Sequence, residues 1–259
     1  MTARRLVNGA LYSVALPVLL LAAWAASPLF ATNRFFPPPS RVAEAFVKTW
    51  LNESFVVDVL PSLGRLAFGI LISIVLGIAV GALIGSFRHL RSFSEPVLEF
   101  FRAVPPPVLI PVLAILLGIN DQMKVAVIVS GGIWPVLLNA IEGVRGIDPI
   151  MRETSRSYAL GPVTRLFSVV LPGAAPQIMT GVRQCLSVSL ILMVISEMFN
   201  SSSGLGYRIS YFQANYLIAE MWSGILLLGL VGVTLSVLFQ IAERIVLSWY
   251  HGLKEVERA

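Results

Sequence analysis

The stretch MRETSRSYALGPVTRLFSVVLP, Met151–Pro172, decides how this chain is read. It carries Arg152, Glu153, Arg156 and Arg165, yet two long apolar segments flank it. Charged groups at the centre of a bilayer are expensive, so such an insert belongs outside the hydrocarbon if its flanks cross it. The rest of the composition says that they do. Of the 259 residues, 56% are hydrophobic and only 13% charged, too apolar for a soluble domain of this length. About 20 consecutive apolar residues span a bilayer core as helix, and a helix satisfies its own backbone hydrogen bonds there.

Working outward, the sequence predicts an all-α membrane protein of about six spanning helices. They run over about Leu6–Ala26, Ser62–Phe87, Val97–Ile119, Met123–Val144, Gln177–Phe199 and Met221–Trp249. No linker or composition shift divides the chain, so residues 1–259 read as one membrane domain, with a core over about 60–250 and the polar loop over about 148–172. The first apolar run has a basic start at Arg4 and Arg5, as a signal peptide does. Its apolar stretch is longer than a usual signal core, which favours a retained helix.

Lysine and arginine accumulate in cytoplasmic loops. With the N-terminus inside, the inner face receives Arg4, Arg5, Arg88, Arg91, Arg145, Arg152, Arg156, Arg165, Arg244, Lys254 and Arg258. The outer face receives Arg34, Arg41, Lys48, Lys124 and Arg208. Both termini and the Met151–Pro172 loop then face the cytoplasm. This distribution also explains the net charge of +5 without nucleic acid as a partner.

Several local patterns carry expectations. After Pro37-Pro38-Pro39, the residues Val42, Ala45, Phe46, Thr49 and Trp50 recur at helical spacing, predicting an amphipathic helix packed on the outer face of the bundle. In the second span, Gly69, Ser73, Gly77, Gly81 and Gly85 recur every fourth residue. Small residues on one helical face allow close backbone approach in lipid, so they read as a packing seam. The third span is interrupted by Pro105-Pro106-Pro107, with Pro111 beyond and Arg102 before. Broken backbone at this depth needs protein cover or a water-lined cavity. Arg65, Arg183 and Glu197 fall within spans. Arg65 is near enough to the outer end to snorkel. Arg102, Pro105, Arg183 and Glu197 are the candidates for a translocation path.

Met151–Pro172 resembles the EAA loop of permeases in ATP-binding-cassette importers. Glu153-Thr154-Ser155 opens the motif, Ala159 holds its glycine position, and Val169-Val170-Leu171-Pro172 closes it. Gly161, two residues on, is a candidate to supply the turn. Ser201-Ser202-Ser203-Gly204-Leu205-Gly206-Tyr207 resembles an outer loop of the same permeases, and Gly204, Gly206 and Tyr207 are its outer-gate candidates. Arg156-Ser157-Tyr158 and Leu171-Pro172-Gly173-Ala174 are similar to the nitrate, sulfonate, taurine and bicarbonate branch. The resemblance implies a type I importer permease fold in a bacterial cytoplasmic membrane. It implies a cytoplasmic coupling helix that docks on a separate ATPase dimer through Glu153, Arg156, Ser157, Tyr158, Ala159, Leu160, Gly161, Leu171 and Pro172. It implies a second permease copy forming a homodimer, an extracytoplasmic substrate-binding protein, and alternating access for a small organic or inorganic anion.

No Gly-Lys-Ser or Gly-Lys-Thr phosphate cradle occurs, so ATP and magnesium are expected on the partner ATPase, with no cofactor on this chain. His89 and His251 lie apart, Cys185 is the single cysteine, and no Gly-x-Ser-x-Gly appears. No metal ligands and no catalytic residues are therefore expected. The competing readings are a methionine-type or a pyrimidine or aromatic-acid importer permease, and a secondary carrier that needs no ATPase.

Overall fold

The structure is a computed structural model that describes residues 15–16, 18–26, 35–199 and 201–250. Most of the expected first span lies outside the described residues; of it, 15–16 and 18–26 are helical. Helix α1, Pro39–Trp50, follows the triple proline. Then come α2, Phe55–Ser86; α3, Arg88–Ala103; and α4, Ile110–Leu117. They are followed by α5, Asp121–Arg145; α6, Pro149–Ser157; α7, Pro162–Met198; α8, Leu205–Ala214; and α9, Ile218–Val246. Among the described residues there is no strand.

Helices α2, α5, α7 and α9 are long and apolar enough to cross a membrane, and a fifth crossing exists if the bent pair of α3 and Pro106–Leu117 counts as one. The expected third span is broken where the sequence interrupts it, and its limbs meet at 81°. The cause is Pro105-Pro106-Pro107. Three successive residues lack an N–H, and each proline pushes its predecessor out of the helical region. Val104 and Pro105 are accordingly extended, with ψ of 117° and 123°.

The α2–α5 seam is where the glycine stripe acts. The two helices run parallel, and Gly69, Gly77, Gly81 and Gly85 face Ile128, Val136, Ala140 and Val144, a constant offset along both chains. A Cβ at Gly81 would lie 2.6 Å from the Ala140 Cβ and 2.7 Å from the Leu137 carbonyl oxygen. The backbones are too close for any side chain there, as expected from a small-residue interface. Antiparallel α7 packs on the other side of α5: a Cβ at Gly181 would lie 2.5 Å from the Pro135 carbonyl oxygen. Val127, Ile128, Val136, Ala140 and Cys185 are fully buried in this three-helix centre.

Helix α1 packs on α9 rather than facing lipid alone. Trp50 is 1% exposed and donates its indole N–H to Ser223 Oγ at 2.9 Å. Two wide π turns occur, at Phe55–Val59 in α2 and Leu166–Val170 in α7. In both, a proline (Pro61 or Pro172) follows two residues after the turn. A proline ring collides with the carbonyl four residues back, and a widened turn relieves that collision while the chain stays helical. Hence α7 begins at Pro162, far before the Gln177 expected for the fifth span.

Candidate functional site

The polar loop folds into α6 and the foot of α7. Asp148 starts α6 as a cap, its carboxylate accepting the Ile150 N–H at 2.8 Å. Pro149 occupies the first helical position, where no N–H is needed. At the other end the Ala159 N–H donates to the Arg156 carbonyl at 2.8 Å, and the Leu160 N–H to the Ser155 carbonyl at 3.2 Å. These two bonds are the Schellman exit, which places one residue in the left-handed region. That residue is Ala159, at φ 49°. The expected role of Gly161 is thereby corrected: its φ is −58° and ψ 156°, open to any residue. Alanine performs the glycine's turn at some cost in strain.

Ser155 replaces a small apolar residue of the motif and is 4% exposed. Its hydroxyl donates to the Arg152 carbonyl at 2.7 Å, so the burial leaves nothing unsatisfied. Arg152 donates in turn to the Val144 carbonyl, tying α6 to the C-terminal end of α5. Glu153, Arg156, Ser157 and Tyr158 remain exposed, Tyr158 at 77%, and Leu160 is half-buried. Ile150 and Met151 are also exposed, at 72% and 49%. The short helix thus offers apolar side chains beside charged ones on a surface held rigidly to two spans. Leu171 and Pro172, half-buried, lie inside α7, just past its wide turn at Leu166–Val170.

At the opposite end lies an ion-pair network. Glu197 is 0% exposed. It accepts from Arg65 Nη1 at 2.7 Å, from Ser62 Oγ at 2.7 and 2.8 Å, and from the Gly206 N–H at 3.1 Å. Arg65 bonds Asp121 at 2.8 Å. Asp58, 1% exposed, accepts from the Gly204 N–H at 3.0 Å and from Arg208 at 2.6 Å. Lys124 donates to Ser201 Oγ at 2.7 Å. Asp58, Asp121 and Glu197 balance Arg65, Lys124 and Arg208, so the network is formally neutral. Buried charges need such pairing. Arg65 therefore does not snorkel, contrary to expectation; it is 6% exposed and paired inside.

The network explains the Gly-Leu-Gly-Tyr segment. Gly204 sits at φ 119°, and a Cβ there would lie 2.5 Å from the Glu197 carboxyl carbon. A Cβ at Gly206 would lie 2.3 Å from the Val194 carbonyl oxygen. Leu205 between them is fully buried, its N–H bonded to Ser62 Oγ at 2.9 Å. The Gly204–Tyr207 segment is thus clamped onto the ends of α2 and α7. Sequence reasoning missed Asp58. The signal was present: Asp58, Ser62 and Arg65 recur at helical spacing in an apolar run and share one face.

The four path candidates are not gathered into one cluster. Glu197 lies in the closed network, away from any open wall. Arg183 pairs with Glu243 of α9 and its guanidinium sits 5.4 Å from the Phe239 ring centre. Arg102 is exposed and bonds Glu99 on its own helix at 2.6 Å. Pro105 is exposed at the 81° bend. Among the described residues no cluster of histidine, cysteine or carboxylates has metal-binding geometry.

Known proteins place this arrangement. The chain is 32% identical to a probable ABC transporter permease protein of Brucella melitensis, over 82% of this chain and 87% of that one. It is 27% identical to a putative aliphatic sulfonates transport permease protein of Bacillus subtilis, over 90% and 86%. A solved inward-facing structure of the MetNI methionine ABC transporter shares the fold, with TM-score 0.64, 20% identity, and coverage of 74% of this chain and 96% of that one. Residues 69–250 match the sequence profile of binding-protein-dependent transport system inner membrane components. The chain belongs to that family: it is a multi-pass inner-membrane permease of ABC importers, whose ATP is hydrolysed by a separate ATPase subunit.

Proposed function

We propose that this permease moves a small anion, an organic sulfonate in the first place, into the cytoplasm by alternating access. The observation that carries the coupling half of this reading is α6: a capped, two-span-anchored helix with Ile150, Met151 and Tyr158 exposed beside Glu153 and Arg156. We assign it to a groove of the ATPase, with ATP and magnesium bound there and none on this chain. The foot of α7 follows α6 after a short turn, and Leu171 and Pro172 continue it into the span, so movement of α6 carries α7 as a lever. The N- and C-termini lie in the cytoplasm in this reading, as the Lys and Arg distribution favours.

A second copy of this chain completes the pore. Helix α3 supports that view: it has no fully buried residue, and Phe93, Phe100 and Phe101 are 80%, 66% and 53% exposed. Closed two-fold symmetry is the usual solution for such a face. The clamped Gly204–Tyr207 segment forms part of the outer gate beneath the binding protein. The Bacillus relative's aliphatic sulfonates and the arginines near the spans favour an anionic substrate.

Reconstitution with the cognate ATPase and binding protein tests the reading. Sulfonate uptake should require ATP and all three components. Uptake that persists without the ATPase would favour a secondary carrier, and uptake of neutral amino acids in preference to anions would reject the substrate class.

A further inference from the structure

An arginine-lined cavity and an apolar cleft meet at the inner end of α2. The cavity, about 70 Å³, is bordered by Arg152, Arg156 and Arg165. That is several times the roughly 10–15 Å³ that one water molecule needs. The cleft, about 650 Å³, runs between α2 and the foot of α7, with Ile78 and Leu83 on one wall and Phe167 on the other. Ser86, Arg165 and Val170 border both spaces, so they form one continuous site.

Two facts indicate what would fill it. Among the described residues none of the three guanidinium groups is ion-paired with a carboxylate. Arg152 finds only the Val144 carbonyl, so three like charges converge with excess donors and few acceptors. An oxyanion supplies those acceptors, and arginine forks match phosphate geometry. The cleft adds the second fact. Leu83 and Phe167 are 54% and 64% exposed, and the α2 wall from Ile74 to Phe87 climbs roughly 20 Å along the span. A soluble partner does not reach that far into a bilayer. The occupant therefore has an anionic head and a long apolar tail.

We propose that this composite site holds one anionic phospholipid of the inner leaflet, its phosphate between Arg152, Arg156 and Arg165 and an acyl chain along Ile78, Leu83 and Phe167. Basic pockets between spanning helices on the cytoplasmic side suit such headgroups. Because the lipid touches both α6 and α7, it braces the coupling surface against the bundle.

The test uses the purified full-length permease in neutral detergent, titrated with dioleoylphosphatidylglycerol, dioleoylphosphatidylcholine or inorganic phosphate. Native mass spectrometry reads retained lipid, and the thermal midpoint reads stabilisation. Phosphatidylglycerol should be retained over phosphatidylcholine and should raise the midpoint. Arg165→Gln should cut its retention by about fivefold. Leu83→Trp, which fills the cleft without touching charge, should lower retention likewise, and it keeps the test open if the arginine variant misfolds. Equal retention of both lipids, a full shift from phosphate alone, or wild-type retention in Leu83→Trp would overturn the proposal. The assay involves no ATPase and no transport, so its failure leaves the coupling reading standing.

Discussion

Replacing Glu197 by Gln isolates the outer network. The two side chains have nearly the same shape, so packing is kept and only charge and acceptor count change. Glu197 uses both oxygens: one accepts from Arg65 and Ser62, the other from Ser62 and the Gly206 N–H. An amide has one acceptor oxygen and a donor NH₂. If the oxygen stays on Arg65, the NH₂ confronts the Gly206 N–H, and a buried donor goes unpaired at about 1–3 kcal/mol. Removing one member of a buried ion pair costs about 3–5 kcal/mol in all. Asp121 still holds Arg65, which argues for the lower half of that range. With about 2–4 °C per kcal/mol for a domain of this size, the midpoint should fall by roughly 6–16 °C. Thermal unfolding of the purified protein in detergent measures it, and hydrogen exchange at Gly204–Tyr207 should rise at the same time. A midpoint within about 2 °C of wild type, with exchange at Gly206 unchanged, would refute the claim that this carboxylate clamps the loop.

Other expectations follow from single positions. Gly81→Ala should destabilise by about 1–3 kcal/mol, because its Cβ meets the Ala140 Cβ at 2.6 Å; Gly64→Ala, with open space around it, should be neutral or slightly stabilising in the same unfolding assay. At Ala159, φ 49° makes Gly the better residue and Val the worse. Amide exchange at Leu160 should slow by a few-fold in Ala159→Gly and quicken by roughly 5–30-fold in Ala159→Val, a change of about 1–2 kcal/mol. Tyr158→Ala and Glu153→Ala should lower transport-linked ATP hydrolysis by at least about tenfold while membrane insertion and the thermal midpoint stay unchanged; full coupling in both variants would remove α6 from the interface.

The parts of the fold set by repetition were legible beforehand. The stripe Gly69 to Gly85 announced its seam because small residues every fourth position leave little else for a helix in lipid to do. Trp50 and its helical neighbours likewise announced a packed face. The bend at Pro105–Pro107 was legible as an interruption, but its 81° was not, since the angle depends on what the two limbs pack against. The early start of α7 was missed because Pro172 reads as a helix breaker; the wide turn at Leu166–Val170 absorbs it. In the candidate sites, the family resemblance pointed to α6 and the glycine loop. The distant partners of Glu197 were hidden, because Ser62 and Arg65 lie more than a hundred residues away in the chain and meet it only through helix packing. The strained turn was assigned to Gly161 on residue type alone, whereas hydrogen bonding puts it at Ala159.

The central claim is that α6 faces the cytoplasm and bears on a nucleotide-hydrolysing subunit. A single cysteine tests it most directly: Tyr158→Cys in a Cys185→Ser background, whose native thiol is fully buried. In intact cells a membrane-impermeant maleimide should not label it; in inverted vesicles it should label, and a short bifunctional crosslinker should join it to the ATPase, with yield that changes on adding ATP. Labelling from outside intact cells, or vesicles in which no ATPase adduct forms, would contradict the account.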